Sequence, residues 1–338
     1  CVVADRAQAP SGAGYALENR VVMTRILPSV FRDSNVHRLS GFFQSLRSKL
    51  LSLAPHISAP NIAILTPGAQ SEAYFEHAYI ANFLGFELVQ ASDLTVRNTI
   101  LWMKTLDGWS RVDVLLRRVD DDFCDPVELR GDSLLGVPGL LEVARAGNVV
   151  IANPLGSGIL ESPALLAYLP EISRHFLGRE LQLPSVGTWW CGDEDHLAHV
   201  CAHFNELVIK PVFRGDDARS VSPADLDEQS REALRSNILS KPANFVAQER
   251  LLPSHLPALS FKKLNPRPAI LRAFSVASGN SYRVMPGGLT RIGNREGTSL
   301  LANQLGQISK DTWIVASELN KTQAVVGGTE TSTPEMTR

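Results

Sequence analysis

Residues 61–90 constrain this chain more than any other stretch. Residues 61–66 form an apolar, β-rich run that stops at Pro67-Gly68, residues 71–84 carry helical spacing, and residues 86–90 form a second β-rich run. A strand, a helix and a strand in succession predict a parallel pair, because two strands joined through a helix run in the same direction. A further buried-type strand over 111–116 delivers Arg117-Arg118-Val119-Asp120-Asp121-Asp122 at its C-terminal end. Open α/β sheets bind ligands at that edge.

The flanking sequence fills in the rest. Cys1-Val2-Val3-Ala4 reads as a strand already under way, so the chain is expected to begin inside a larger protein, with an upstream part missing. The small-residue loop Pro10-Ser11-Gly12-Ala13-Gly14, able to bring backbone amides close to a ligand, leads into a helix over 15–27 that Pro28 interrupts. Phe42, Phe43, Leu46, Leu50 and Leu53 recur at threes and fours, which predicts an amphipathic helix over 39–53 packed on a core. Strands are expected over 148–152, 207–211 and 244–249, and a helix over 161–169. Residues 269–276 and 281–285 read as an antiparallel pair about Gly279-Asn280. Residues 327–338, rich in Thr, Glu and Gly, cannot bury enough apolar surface to order themselves and are expected to form a flexible tail.

Composition narrows the chemistry. The 338 residues are 44% hydrophobic and 20% charged, enough for a substantial core in one large or two modest domains. A formal net charge of -2 supplies no broad basic field, which argues against nucleic acid and anionic membrane as partners and for small-molecule chemistry. Apolar runs such as Val149-Val150-Ile151-Ala152 have strand length, far short of the ~20 residues that span a bilayer. The four cysteines, Cys1, Cys124, Cys191 and Cys201, form no Cys-x-x-Cys pair, so a reduced, cytoplasmic protein is expected, with Cys124 and Cys191 as packing residues. His196, His199 and His203 share one face of an expected helix. Cys201 points elsewhere and no His-Glu-x-x-His run is present, so they read as a helix surface and not a metal centre.

Several residue groups carry chemistry by type. Lys210, after Leu207-Val208-Ile209, suits a phosphate, although a lysine at a strand end is commonly just solvated. Gln248-Glu249 close the strand Phe245-Val246-Ala247, where a backbone and a carboxamide can meet a heterocycle. Asp120, Asp121 and Asp122 alone read as a solvated acidic turn. Glu76-His77 is an acid–base pair by type, or a helical core histidine capped by its neighbour.

Taken together, many segments match one family. Pro10-Ser11-Gly12-Ala13-Gly14-Tyr15-Ala16-Leu17-Glu18-Asn19-Arg20, Leu65-Thr66-Pro67-Gly68, Tyr74-Phe75-Glu76-His77-Ala78, Arg117-Arg118-Val119-Asp120-Asp121-Asp122, Leu135-Gly136-Val137-Pro138-Gly139-Leu140 and Met285-Pro286-Gly287-Gly288-Leu289-Thr290-Arg291 resemble circularly permuted ATP-grasp proteins of the type 2 branch. Trp189-Trp190-Cys191-Gly192 and Ser309-Lys310-Asp311-Thr312-Trp313 complete the resemblance, which runs in order over 1–313. It implies an α+β ATP-grasp fold in circularly permuted order. An α/β substrate-side subdomain would occupy about 60–115 and a nucleotide-gripping subdomain about 185–313.

The resemblance also implies ATP and Mg²⁺ as cofactors, and kinship with glutathionylspermidine synthetase-like ligases that join a carboxylate to an amine through an acyl phosphate. The substrates would be a small-molecule or peptide carboxylate and an amine, with a helical or transglutaminase-like partner protein. Carried over residue by residue, Lys210 corresponds to the phosphate lysine and Gln248 and Glu249 to the adenine-side hinge. Arg272 and Arg291 are the basic residues near the nucleotide, with Ser11 and Gly12 beside the phosphates or substrate. Arg118 and Asp120 would be catalytic, and Glu76 and His77 would line the substrate cleft.

The departures carry a second reading, a catalytically degenerate ATP-grasp binding or interaction module. Relatives place Glu-Asp-Asn ahead of the Pro-Ser-Gly loop where this chain has Ala4-Asp5-Arg6, leaving Asp5 as the one metal candidate there beside a cation. Val212-Phe213-Arg214-Gly215-Asp216-Asp217 replaces a glycine-rich loop, and Gly306-Gln307-Ile308 replaces another.

Overall fold

The first 152 residues build a helical layer on a parallel sheet. Helices α1 (Ala13–Ile26), α2 (Pro28–Asp33) and α3 (Ser40–Leu51) precede β1 (Ile62–Leu65), α4 (Tyr74–Leu84) and β2 (Glu87–Val89). An antiparallel meander of β3 (Leu94–Arg97), β4 (Ile100–Thr105) and β5 (Gly108–Arg111) leads to β6 (Val114–Arg117), α5 (Leu140–Arg145) and β7 (Val150–Ala152). Strands β2-β1-β6-β7 pair in that order, all parallel. Alternation along the strands gives the sheet two apolar faces. Ile62, Ile64, Val114 and Leu116 pack with Ala16, Phe43 and Ile80 of the helices, whereas Ala63, Leu65 and Leu115 pack with Leu101 and Met103 of the meander and Leu140 of α5.

The remainder forms two antiparallel sheets. Helix α6 (Leu165–Leu177) leads to β8 (Thr188–Trp190), α7 (Glu194–Ala202), β9 (Leu207–Pro211), α8 (Glu228–Ser240) and β10 (Phe245–Glu249). The strands pair in the order β8-β10-β9, with Leu207, Ile209 and Ala247 packed on Val200 of α7 and Ile238 of α8. Strands β11 (His255–Ser260), β12 (Lys263–Arg272), β13 (Ser275–Ser278), β14 (Ser281–Val284), β15 (Gly287–Ile292) and β16 (Ile308–Trp313) complete the chain's described elements. They form the sheet β11-β12-β15-β16 and the hairpin β13-β14, and α1 lies against β15 and β16.

The computed structural model describes residues 1–213, 219–260, 263–293 and 308–316. The expectations for Arg214 to Asp217, for Gly306-Gln307 and for the 327–338 tail lie outside the described residues.

Three local expectations are corrected. Cys1-Val2-Val3-Ala4 is not a strand: Val2 makes a single parallel bridge to Ser185, and the charged Asp5 and Arg6 follow at the surface. The run over 269–276 divides at Ala273-Phe274, because Phe274 turns into the core and its carbonyl accepts from the Met285 amide at 2.8 Å. Gly279-Asn280 thus closes β13–β14, while β12 pairs with β15. The helix placed over 161–169 begins at Leu165, after a 3₁₀ turn at Ser157–Glu161.

Candidate functional site

All four parallel strands end at one edge, and the N-terminal segment is laid across it. Asn153 Nδ2 donates to Ala7 O at 2.5 Å, the Asp121 amide to Gln8 Oε1 at 2.7 Å, and Arg118 Nη1 to Pro10 O at 2.8 Å. Glu161 holds the segment from its other side. Its Oε1 accepts the Ala7 and Gln8 amides at 2.7 and 2.8 Å, and its Oε2 pairs with Arg6 Nη1 at 3.3 Å. Arg117, fully buried, ties the strand ends together through Asn153 O, Val119 O, Pro154 O and Ser157 Oγ and an ion pair with Asp121 at 2.6 Å.

Gly12 caps α1 with φ of +114°, and a Cβ there would meet Phe274 and Leu289 at 3.0 and 3.1 Å. A Cβ on Gly14 would come within 2.8 Å of Glu76 Cγ. The absence of both side chains lets Glu76 Oε1 accept the Gly12 and Gly14 amides at 2.6 and 2.9 Å. The loop amides expected to face a ligand are therefore, at Gly12 and Gly14, committed to a buried carboxylate at the positive end of α1. Burial raises the Glu76 pKa, and the Gly14 amide, Arg118, the Gly12 amide and Arg272 oppose that shift.

Around this loop the structure gathers most of the residues nominated from sequence. Burial lowers the pKa of Arg118 and Glu76 opposes it. Among the described residues, Arg118 Nε and Glu76 Oε2 are buried without a hydrogen-bond partner. His77 Nδ1 lies 2.9 Å from Thr66 Oγ1, and burial, aided by Arg118, depresses its pKa to about 4. At neutral pH it is an uncharged imidazole. The β12–β15 register sets Arg272 opposite Leu289 and Arg291 opposite Ile270, so the two arginines are diagonal neighbours on one face of the sheet. Arg272 Nη1 lies 3.5 Å from both Ser11 O and Ser11 Oγ. Burial, then Arg291 and Arg6, push its pKa down while Glu76 pulls it up. Asp120 is raised by burial and by Glu161, against Arg117 and Arg6.

A second group stands on the β8-β10-β9 sheet. Lys210 pairs with Val246 and Gln248 with Val208, so Lys210 and Gln248 share a face, and Lys210 Nζ donates to Gln248 Oε1. Gln248 Nε2 in turn donates to Thr188 Oγ1 at 3.0 Å. Burial lowers the Lys210 pKa to about 8. Glu249, one residue on, alternates to the opposite face, its amide on Gly187 O at 2.9 Å and its carboxylate accepting from the Gly187 amide at 3.3 Å. Asp5 lies on the segment that runs from Val2, beside residues 184–186, to Ser11, and such burial as it has raises its pKa.

The donor sets discriminate between the two implied cofactors. Guanidinium groups about residues 6–12, one carrying an unpaired buried N–H, fit a polyphosphate, and Lys210 on its own sheet suits a phosphate by type. Magnesium requires hard oxygen ligands, commonly one or two carboxylates beside the phosphates. Here Glu161 is committed to Arg6 and two amides, and Asp121 to Arg117 and the Gly158 amide at 2.8 Å. Among the described residues no three His, Cys, Asp or Glu side chains group as a metal site. Among the described residues, those at this edge do not fit a protein-held magnesium ion.

Thr188, Gln8, Arg117 and Glu161 were not singled out from sequence. Glu161 lies 155 residues from Arg6 and Thr188 lies 60 from Gln248, and neither belongs to a motif that marks it. The doubled Arg117-Arg118 was a visible signal, but the local sequence does not say which arginine braces the strand ends.

Known proteins resemble this chain over most of its length. An uncharacterized protein of Synechocystis sp. is 39% identical over 315 residues, covering 93% of this chain and 66% of its own length. One from Mycobacterium tuberculosis is 35% identical over 330 residues, covering 97% of this chain and 60% of its own length. The chain thus spans about two thirds or less of these curated relatives. A glutathione synthetase-like effector from Globodera pallida, solved in its apo form, superposes with a TM-score of 0.58 at 12% identity, over 92% of this chain and 70% of that one, a likeness of fold. The architecture is an α+β ATP-grasp fold, and with its family model matching residues 1–293 the chain belongs to the circularly permuted ATP-grasp type 2 family.

Proposed function

We propose that this chain binds ATP and serves ligase chemistry of the carboxylate–amine type. In that reaction a carboxylate oxygen attacks the γ-phosphorus, giving an acyl phosphate and ADP. An amine then attacks the acyl carbon and expels phosphate. The observation that carries the reading is the gathering of Arg118 and Arg272 on the backbone of Pro10 and Ser11, within electrostatic reach of Arg6 and Arg291. Guanidinium groups in such proximity, that of Arg118 buried, favour a polyanion. Lys210, its charged form disfavoured by burial, would have that charge stabilised by a phosphate. Gln248 would fix the lysine and, with Glu249, border the adenine. Arg118 and Asp120 would face the carboxylate substrate, while Glu76 and His77 support the loop from behind. No step is assigned to magnesium, because Glu161 and Asp121, the carboxylates that hold or flank residues 6–8, are paired with cations and amides.

The pairing of Arg6 with Glu161 favours a second reading, a nucleotide-binding module without turnover. Calorimetric titration of ATP into the wild type and Lys210→Ala tests the binding; trapping with hydroxylamine in the presence of mixed carboxylates tests turnover. Binding lost in the variant, with hydroxamate and ADP formed by the wild type, supports the ligase. Binding without hydroxamate supports the module, and absence of ATP binding by the wild type overturns both.

A further inference from the structure

We infer that the Ser11 loop neutralises a polyphosphate with guanidinium groups in place of a protein-held divalent cation, so that this chain binds ATP and inorganic tripolyphosphate without magnesium. The inference rests on the nucleotide reading above and makes a separate claim about which charge holds the phosphates.

The local carboxylates are engaged from within the protein. Glu76 takes the Gly12 and Gly14 amides, Asp121 takes Arg117 and the Gly158 amide, and Glu161 takes Arg6 with the Ala7 and Gln8 amides. Asp120 lies in the field of Arg117 and Arg6. A cation entering here would have to displace an arginine or a backbone amide from Asp121 or Glu161, and Glu76 Oε2, which has no hydrogen-bond partner, is buried in the field of Arg118.

The positive groups are arranged the other way. Arg118 Nη1 is on Pro10 O with its Nε buried and unpartnered, and Arg272 reaches Ser11 only at 3.5 Å, a long contact that a stronger acceptor would displace. Arg291 is the diagonal neighbour of Arg272 across β12 and β15. The Arg6 side chain is 51% exposed, and Glu161 keeps its two backbone donors if Arg6 swings toward a phosphate. A guanidinium matches two phosphate oxygens at once, a geometry that suits it to this role.

The test titrates ATP and inorganic tripolyphosphate into the wild type, Arg6→Ala and Arg272→Ala, each with excess magnesium and with EDTA. The wild type is expected to bind both ligands in EDTA within about threefold of its affinity in magnesium, and each variant to lose about tenfold in EDTA. Circular dichroism melts check that the variants fold, and the half-exposed Arg6 supplies the variant least able to disturb packing. Wild-type binding that weakens tenfold or more in EDTA, or variants that bind as the wild type does, overturn the inference. Arginine-dependent tripolyphosphate binding without ATP binding would sink the nucleotide reading and overturn the ATP half of this inference, leaving only a guanidinium site for a bare polyphosphate. ATP binding seen only with magnesium would leave the nucleotide reading standing and overturn this one, and failure of both ligands to bind in EDTA overturns the guanidinium site.

Discussion

The two charged regions of this molecule are built on opposite terms. At the edge of the parallel sheet, residues 5–12, Glu76, Arg117, Arg118, Asp121 and Glu161 form a dense network in which backbone amides and guanidinium groups satisfy the carboxylates. On the β8-β10-β9 sheet, one lysine rests on one carboxamide, which rests on one hydroxyl. The first arrangement spends its charge on holding a loop in place. The second keeps a cation partly desolvated, so that its charge is best satisfied when an anion arrives. The contrast separates Glu76 and Arg117, which hold the loop and strand ends, from Lys210, whose proposed role is in binding.

The largest effect should come from Glu76→Ala. It unpartners the Gly12 and Gly14 amides and removes the counter-charge of Arg118, and the expected destabilisation is about 3–5 kcal/mol in denaturant unfolding. A loss below about 1 kcal/mol would break the view of this edge as a framework.

Next comes His77. Its folded pKa of about 4 lies below the ordinary 6.5, so between those values the unfolded chain binds more protons than the folded one. Stability therefore falls as pH drops through that window, by up to about 3 kcal/mol. The raised pKa of Glu76 acts in the opposite sense above 4.5, but it is common to wild type and His77→Gln. The difference between their unfolding curves isolates the histidine, and identical pH slopes would count against a buried neutral imidazole.

Lys210→Ala should weaken ATP binding by about thirtyfold, near 2 kcal/mol, while changing unfolding free energy by less than about 1 kcal/mol. A variant that loses stability instead would erase the contrast between the regions. The smallest effect is in pH. With the Lys210 pKa at about 8, the charged form that holds phosphate is depleted above that value. ATP affinity should fall about fivefold from pH 8 to pH 9 at most, and a titration of Lys210→Ala over the same range should stay flat.

Much of the framework was legible along the chain. The parallel unit of β1, α4 and β2 followed from apolar runs broken at Pro67-Gly68, and α3 from the threes and fours of Phe42, Phe43 and Leu50. Lys210 and Gln248 were both nominated, but their meeting was not: it depends on the antiparallel register that sets Lys210 against Val246 and Gln248 against Val208. The meander β3-β4-β5 went unread, although Asp107-Gly108, with Gly108 at φ of +117°, carried a hairpin signal. Its strands are 4, 6 and 4 residues long, too short for alternation to stand out.

Local order alone determined elements with a clear apolar pattern, such as α3 and the β1-α4-β2 unit, because periodicity of 2 or 3.6 residues reports which side of an element is buried. It also determined the family, because many short segments matched in order. Only the tertiary structure decided what each charge does. Arg117 and Arg118 are adjacent at the end of β6, yet one braces the strand ends and the other reaches the Pro10 carbonyl. Arg6 meets Glu161 from 155 residues away. The reason is physical: a charge acts through the groups within a few ångströms of it, and those distances are set by how distant segments pack together.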